Sequence, residues 1–272
     1  MAMVISGKEA SMKYGFIGCG NMGGAIVRAL RKKTADIMIT DRSGKGKALA
    51  EEMGIVYSDN QTIASTCDRI FLAVKPQMLA NCLLPLADIL KEKKPLLITM
   101  AAGLRISQIE EFAQCRLPVI RIMPNTPVSI GKGVIPYCCN DLVAKDVLED
   151  WRNDLRGCGL LDPLDEHLID AASALSGSGP AYAYLFLEAL ADGAVACGIP
   201  RAKALEYAAA TLVGAGEIYL STKQNPGALK DAVCSPGGST IEGIRALEQH
   251  GFRGAVIDCV IAAYKRNKEL GK

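Results

Sequence analysis

The chain has few aromatic residues and almost no excess charge of one sign. Phe, Trp and Tyr make up 5% of its 272 residues, and the formal net charge at pH 7 is +2. Proteins that bind single-stranded nucleic acid need aromatic side chains for stacking and a basic surface for the phosphates. The basic cluster Arg31-Lys32-Lys33 stands where a helix is predicted to end, and cations there complement the helix dipole. We therefore expect no nucleic-acid partner.

The sequence also lacks a long uninterrupted apolar run. Its most apolar stretch, residues 181–196, contains Glu188 and Asp192, whereas a spanning helix needs about 20 mostly apolar residues. Residues 1–11, which we interpret as an N-terminal extension, contain no apolar segment typical of a secretory signal. These absences predict a cytoplasmic protein with no membrane contact.

Metal-binding patterns are missing as well. The ten cysteines include no C-x-x-C pair and form no Cys/His cluster, so the sequence predicts no metal site. Without a secretory signal, the cysteines are expected to be reduced thiols in the core. The two histidines, His167 and His250, lie in polar surroundings near predicted helix boundaries. Neither is expected to act as a catalytic acid.

The first half contains a glycine-rich turn between a predicted strand and a predicted helix. Residues 18–23 read Gly-Cys-Gly-Asn-Met-Gly, after an apolar strand over 13–17 and before apolar positions at helical spacing. In this setting G-x-G-x-x-G is the fingerprint of a dinucleotide-binding turn. The next predicted strand ends at Asp41, which would accept hydrogen bonds from the 2′-hydroxyl of NAD. Arg42 and Ser43 would instead suit the 2′-phosphate of NADP, so both cofactors remain open.

Apolar strands continue to alternate with helical patterns after this turn. Strands are predicted over 36–40, 69–74, 96–100 and 119–123, with helices over 77–91 and 107–114 between them and edge strands near 133–137 and 159–161. Such alternation indicates an α/β protein with a doubly wound Rossmann sheet, here over residues 12–163. Ligands bind beyond the carboxyl ends of the strands, where Pro- or Gly-containing turns follow.

The second half, residues 164–272, is predicted to be an all-α domain. Helices are expected over 181–196, 201–221, 227–233, 240–250 and 253–270, with a break at Ser176–Pro180. The first of them is apolar on nearly every face, which requires burial on all sides, within the domain or by another subunit. We therefore expect this domain to mediate dimerisation.

A short stretch before one of these helices suggests an anion site. Residues 235–241 read Ser-Pro-Gly-Gly-Ser-Thr-Ile, and Ser239-x-x-Glu242 fits a capping box. The backbone N–H groups at such a helix start suit a carboxylate. Taken alone, the pattern is more often a structural cap.

Several motifs together resemble one family, the pyrroline-5-carboxylate reductases, from Met12 to the end. The motifs are the glycine turn, Ala73-Val74-Lys75-Pro76, residues 121–127 (Arg-Ile-Met-Pro-Asn-Thr-Pro), residues 176–182 (Ser-Gly-Ser-Gly-Pro-Ala-Tyr), and Pro226–Asp231 running into 235–241. The glycine motif is shared with many dehydrogenases, whereas the last stretch is specific to this family.

The resemblance implies reduction of 1-pyrroline-5-carboxylate to L-proline by NADPH or NADH, the last step of proline synthesis. It implies dimers, commonly gathered into decamers, with each substrate site shared between a nucleotide domain and a partner's helical domain. Implied cofactor contacts are Ile17, Gly18, Cys19, Gly20, Asn21, Met22, Asn60, Ala73, Val74, Lys75, Pro76, Ala101, Ala102 and Gly103, to which the Rossmann pattern adds Asp41 and Arg42. Implied substrate contacts are Ser176, Gly238, Ser239 and Thr240. The sequence departs from the family pattern at Asp41-Arg42 and at Lys223.

The predicted catalytic groups are two hydroxyls, those of Thr240 and Ser176. Hydride addition to C=N needs little acid catalysis, because the imine nitrogen can itself be protonated; a hydroxyl that hydrogen-bonds this nitrogen would suffice. No lysine follows Ser176 within two turns, where related hydroxyacid dehydrogenases carry theirs. Two alternatives stay open: another imine reductase or β-hydroxyacid dehydrogenase on the same scaffold, and a non-enzymatic NAD(P)H sensor.

Overall fold

The computed structural model describes residues 12–34 and 36–270, so the predicted extension over 1–11 lies outside the described residues. Within them, the strands form one sheet in the order β3-β2-β1-β4-β5-β6-β7-β8. The strands are β1 Tyr14–Ile17, β2 Ile37–Thr40, β3 Val56–Tyr57, β4 Arg69–Leu72, β5 Leu96–Thr99, β6 Val119–Ile122, β7 Gly133–Cys139 and β8 Gly159–Pro163. Strands β1 to β6 are parallel, and β7 is antiparallel to β6. The predicted doubly wound Rossmann sheet is confirmed.

Helices cover both faces of the sheet because successive strand side chains point to opposite sides. On β1 and β4, Phe16 and Phe71 stack at 4.5 Å in one core, whereas Ile17 and Leu72 lie in the other. The first core is covered by α1 (Asn21–Leu30), α2 (Lys45–Met53) and α7 (Lys145–Leu155). The second is covered by α3 (Asn60–Thr66), α4 (Leu79–Leu83), α5 (Ala87–Lys93) and α6 (Ile106–Ala113).

The structure differs from the sequence reading in three places. The helix expected over 77–91 is divided into α4 and α5 by a 3₁₀ turn at Leu84–Leu86, since Pro85 cannot donate a helical hydrogen bond. The stretch 133–137 was predicted to be an edge strand, but β7 lies between β6 and β8, and only β8 is at the edge. Pro136 is accommodated in β7 because its carbonyl accepts from the Met123 N–H at 2.9 Å and it has no N–H to leave unpaired. The short α3 and the polar α7 were not predicted. Of α7's eleven residues, only Trp151 and Leu155 are buried.

A buried polar cluster lies at the amino-terminal end of the parallel strands. Arg69 is 2% exposed and donates from its Nη1 to the Tyr14 hydroxyl at 2.7 Å and to Asp154 at 2.9 Å. The Tyr14 hydroxyl in turn donates to the Asp154 carboxylate. Burial raises the pKa of Tyr14 well above its usual value. These hydrogen bonds offset part of the cost of removing the guanidinium from water, although the buried Nε of Arg69 has no hydrogen-bond partner.

The chain divides into two compact units, and residues 179–263 form the second. It contains α9 (Gly179–Ala196), α10 (Arg201–Thr222), α11 (Pro226–Ala232), α12 (Ser239–Gln249) and most of α13 (Phe252–Leu270), whose end from Tyr264 belongs to the first unit. In α9 only Ala191 is buried, while Tyr184 and Leu185 are 64% and 70% exposed. The complete burial predicted for this helix is therefore not achieved within one chain. Among the described residues, no helix combines the length and apolarity needed to cross a membrane.

Candidate active site

The turn after β1 has the backbone geometry that a dinucleotide needs. Gly18 has φ +96°, and a Cβ there would lie 2.6 Å from the Ala73 carbonyl oxygen. Gly23 is also closely packed, because a Cβ added there would lie 2.9 Å from the Gly18 carbonyl oxygen. Gly20 is the N-cap of α1 and provides no side-chain acceptor, so the first N–H groups of α1 stay open. No atom lies within 4 Å of a Cβ built on Gly20, which leaves room for a phosphate beside these donors.

A cleft of about 320 Å³ opens beside this turn, at the carboxyl ends of β1, β4, β5 and β6. Its lining consists of Gly20, Asn21, Met22, Gly23, Ala73, Val74, Lys75, Met100, Met123 and Pro124. The first three and Ala73–Lys75 are among the predicted cofactor contacts. The other four were not among the predicted contacts, although Gly23 belongs to the glycine turn, and Met100 and Met123 directly follow strands β5 and β6. The open helix terminus and the adjacent cleft together fit a dinucleotide.

The remaining predicted cofactor contacts differ in what they present. Ile17, Cys19 and Ala101 have buried side chains and can offer only backbone groups. Pro76 begins a 3₁₀ turn beyond β4, and Ala102 precedes Gly103 in the turn after β5. Gly103 lines a separate groove with Arg105 and Lys268. Burial and the nearby Asp41 carboxylate raise the pKa of Cys19 to about 11, so this thiol is neutral at physiological pH.

The side chain of Asp41 is occupied within its own loop. Its Oδ2 accepts from the Ser43 hydroxyl at 2.5 Å and from the Ser43 N–H at 3.3 Å. Its Oδ1 is buried without a hydrogen-bond partner and packs on α2, where a Cβ on Gly46 would lie 2.9 Å away. Arg42 and Ser43 are exposed, while Asn60, the first residue of α3, is half-buried. None of the three predicted residues Asp41, Arg42 and Asn60 lines the 320 Å³ cleft.

Ser176 lies in a π-helical turn, Ser173–Gly177, between α8 (Ile169–Ala172) and α9. The sequence predicted a break over Ser176–Pro180, and the structure has the π turn and the turn residue Ser178 there, after which Pro180 lies in the first turn of the new helix α9. The Ser176 hydroxyl donates to the Ala172 carbonyl at 2.9 Å. Its hydrogen is therefore committed, and the oxygen is left to accept.

Gly238, Ser239 and Thr240 belong to the second unit, unlike the other predicted site residues. Gly238, not Ser239, is the N-cap of α12, and no side chain caps this helix. The predicted capping box is therefore wrong: Ser239 lies in the first helical turn, because a tight turn from Ser235 to Gly238 closes one residue earlier (N···O 3.0 Å). Gly237 has φ +66°, which favours glycine in this turn. The N–H groups of Ser239 and Thr240 consequently remain open.

Across residues 12–34 and 36–270, no group of three or more His, Cys, Asp or Glu side chains could hold a metal ion. Two uncapped helix N-termini, at α1 and α12, instead offer partial positive charge to anions. The chemistry that these groups support is anion binding and orientation.

Comparison with known proteins gives a consistent result along the chain. The family model for pyrroline-5-carboxylate reductase dimerisation matches residues 166–270, and one for coenzyme F420-dependent NADP oxidoreductases matches residues 13–103. The pyrroline-5-carboxylate reductase of Escherichia coli (strain K12) is 38% identical over 266 residues, which is 96% of this chain and 98% of that protein. The solved Plasmodium falciparum pyrroline carboxylate reductase, with NADP bound, has a TM-score of 0.87 at 32% identity and covers 96% of this chain and 99% of that one. The solved pyrroline-5-carboxylate reductase from Coxiella burnetii also has a TM-score of 0.87, at 35% identity, and covers 96% of this chain and 99% of that one.

Proposed function

The chain belongs to the pyrroline-5-carboxylate reductase family, and on that premise we propose that it reduces 1-pyrroline-5-carboxylate to L-proline with NADPH or NADH. The observation that carries the proposal is the cleft beside the uncapped start of α1, at the carboxyl ends of four parallel strands. Parallel sheets bind dinucleotides at this edge. The family's relatives match the chain over 96% of its length, which includes both the Rossmann unit and the helical unit.

The nucleotide-binding residues act by position rather than by reactivity. The open N–H groups of the first α1 turn bind the pyrophosphate, and Gly20 lets it approach the backbone. Met100, Met123 and Pro124 form an apolar wall that excludes water from the cleft. A bound reduced nicotinamide supplies the hydride. These three side chains would orient the bound ring, so most of the protein's task is orientation.

The substrate-binding residues hold the carboxylate and the ring nitrogen. The N–H groups of Ser239 and Thr240, at the start of α12, bind the carboxylate of the substrate. The imine nitrogen takes up a proton from water, the resulting iminium N–H donates to the Thr240 hydroxyl oxygen, and hydride then adds to the neighbouring carbon. Because the Ser176 hydroxyl hydrogen is bound to Ala172, its oxygen accepts the second N–H that the product amine gains when it is protonated.

The loop after β2 favours NADPH over NADH. An acidic residue that selects NAD must offer a free carboxylate oxygen to the ribose 2′-hydroxyl. In Asp41 one oxygen is bonded to Ser43 and the other is buried against α2. The adjacent Arg42 is exposed and provides a guanidinium that pairs with a phosphate in two-pronged geometry. We therefore expect the higher kcat/KM with NADPH.

The exposed apolar surface of the helical unit supports self-association. Tyr184, Leu185 and Tyr207 are all more than half exposed, an arrangement typical of a surface that a second copy covers. The proposed assembly is a homodimer, gathered into larger rings such as decamers, in the cytoplasm and without contact with a membrane. Light scattering at micromolar concentration tests it, and a monomeric mass would contradict it.

The decisive experiment is the initial rate of NADPH and of NADH oxidation, measured separately, with 1-pyrroline-5-carboxylate. Turnover with production of proline supports the proposal. Activity on hydroxyisobutyrate but not on pyrroline-5-carboxylate would favour a β-hydroxyacid dehydrogenase, and nucleotide binding without turnover would favour a sensor. A higher kcat/KM with NADH would refute the argument from Asp41.

A further inference from the structure

One buried amide connects three parts of the nucleotide unit that are distant in sequence. Asn125 is 6% exposed and follows Pro124, a wall residue of the cleft. Its Oδ1 accepts from the Val134 N–H at 2.8 Å, at the beginning of β7. Its Nδ2 donates to the Ser176 carbonyl at 2.9 Å, in the π-helical turn. Both ends of the amide are therefore used, and each holds a different segment.

The π-helical turn has a specific need for this contact. In a π turn the backbone hydrogen bonds shift from i→i−4 to i→i−5, as in the bond from the Ser178 N–H to the Ser173 carbonyl at 3.1 Å. The Ser176 carbonyl cannot accept a regular helical hydrogen bond, because the residue four positions on is Pro180, which has no N–H, and a half-buried carbonyl without a donor is costly. Nδ2 of Asn125 supplies the donor for Ser176. The same contact fixes the distance between the end of β6 and Ser176.

We propose that Asn125 is a positioning residue for the reaction: it clamps the π-helical turn so that the Ser176 oxygen is held at a set distance from the cleft wall at Met123 and Pro124. The proposal rests on the proposed function, because it assigns Ser176 to the substrate. Asn125 acts through Ser176 and need not touch the substrate. A displacement of about 1 Å in such a group can lower a rate by about a hundredfold, so this clamp matters more for turnover than for folding.

The test is Asn125→Asp, with Asn140→Asp as the matched control. Asn125→Asp keeps the acceptor for Val134 but places a carboxylate oxygen against the Ser176 carbonyl. Asn140, which directly follows β7, is a part-buried amide with contacts of the same kind: Nδ2 donates to the Leu117 carbonyl at 2.8 Å and to Glu110 Oε1 at 3.0 Å, and Oδ1 accepts from the Val119 N–H at 3.2 Å. The introduced carboxylate therefore faces a carbonyl and a second carboxylate, so this control is at least as destabilising as Asn125→Asp. We expect Asn125→Asp to lower kcat about 10- to 100-fold with the Kd of NADPH within about threefold of wild type. Asn140→Asp should keep kcat within about twofold.

Two further readouts separate positioning from general destabilisation. Lowering the pH protonates the introduced carboxyl, which can then donate to Ser176, so the ratio of variant to wild-type kcat should rise. Hydrogen–deuterium exchange of the 173–180 segment should accelerate about tenfold or more in Asn125→Asp and remain unchanged in Asn140→Asp, with or without ligand.

The outcomes are distinguishable from failure of the proposed function. A wild-type protein that does not turn over pyrroline-5-carboxylate refutes that function, while the exchange measurement still judges the clamp. Unchanged exchange in 173–180 overturns the clamp. Accelerated exchange with an unchanged kcat overturns its role in the reaction, as does an equal fall of kcat in both variants.

Discussion

Gly20→Ala should separate nucleotide binding from folding, because this glycine is the one in the turn whose missing side chain faces empty space. A Cβ on Gly20 meets no atom within 4 Å, whereas a Cβ on Gly18 or Gly23 would lie 2.6 or 2.9 Å from a backbone carbonyl. The added methyl group therefore costs the folded protein only the difference between Gly and Ala at an N-cap. That difference is about 0.5–1 kcal/mol. For a chain of this size it lowers Tm by about 1–4 °C.

The effect on the dinucleotide should be much larger. The pyrophosphate must approach the open N–H groups at the start of α1, and the methyl group would stand in that path. Loss of one charge-assisted hydrogen bond costs about 1.5–3 kcal/mol. Such a loss weakens the Kd of NADPH about 10- to 150-fold.

The assay pairs thermal unfolding without ligand with NADPH titration by fluorescence or calorimetry. Gly24→Ala is the matched control: its Cβ would make an ordinary contact, 3.5 Å from Leu49, so both Tm and Kd should stay close to wild type. Gly23→Ala should show the opposite pattern to Gly20→Ala, with a loss of stability of about 1–3 kcal/mol from overpacking. A wild-type Kd in Gly20→Ala would refute the assignment of the pyrophosphate to this turn.

Three further predictions concern catalysis, stability and pH. Thr240→Ala should lower kcat/KM for pyrroline-5-carboxylate about 10- to 1000-fold while Thr240→Ser retains most of it, and wild-type kinetics in the alanine variant would exclude the hydroxyl from the mechanism. Tyr14→Phe removes the hydroxyl that accepts from buried Arg69, so the free energy of unfolding in urea should fall by about 1–3 kcal/mol, and an unchanged midpoint would contradict this. Burial raises the pKa of the Cys19 and Cys158 thiols from 9.0 to about 11, so the folded state holds these protons more tightly than the unfolded state. The free energy of unfolding is therefore unaffected by these thiols below about pH 9. It falls as the pH rises through about 11, by up to about 5 kcal/mol for the pair. A urea midpoint that falls as steeply in the double Cys→Ala variant as in wild type would show that other groups are responsible.

The fold was predictable because its signals are local. Each apolar strand is followed at once by a Gly or Pro turn and then by a helix, and this order alone specifies a parallel sheet with covered faces. The glycine turn was also predictable, since the strand before it and the helix after it are contiguous in sequence. Helices α3 and α7 were missed because few of their residues are buried and tertiary packing, not periodicity, holds them.

The details of the helix ends were less predictable. The Ser-x-x-Glu pattern before α12 suggested a capping box, but the turn closed by Gly238 moves the helix start by one residue. The Ser176–Pro180 stretch suggested a break, which the structure has, but the π turn that precedes the new helix was not predicted. In both places Gly, Ser and Pro permit several local conformations, and the surrounding packing selects one.

The sequence by itself determined the α/β architecture, the dinucleotide turn and the resemblance to one family, because these depend on short patterns and on motifs that stand together along the chain. Only the tertiary structure decided what faces the cleft and what supports it. Met100 and Met123 become neighbours of the glycine turn because parallel strands bring their carboxyl ends to one edge. Asn125 donates a hydrogen bond to a residue 51 positions away, and the carboxylate of Asp41 accepts one from Ser43 within its own loop. Such contacts depend on distances in space that no local pattern encodes.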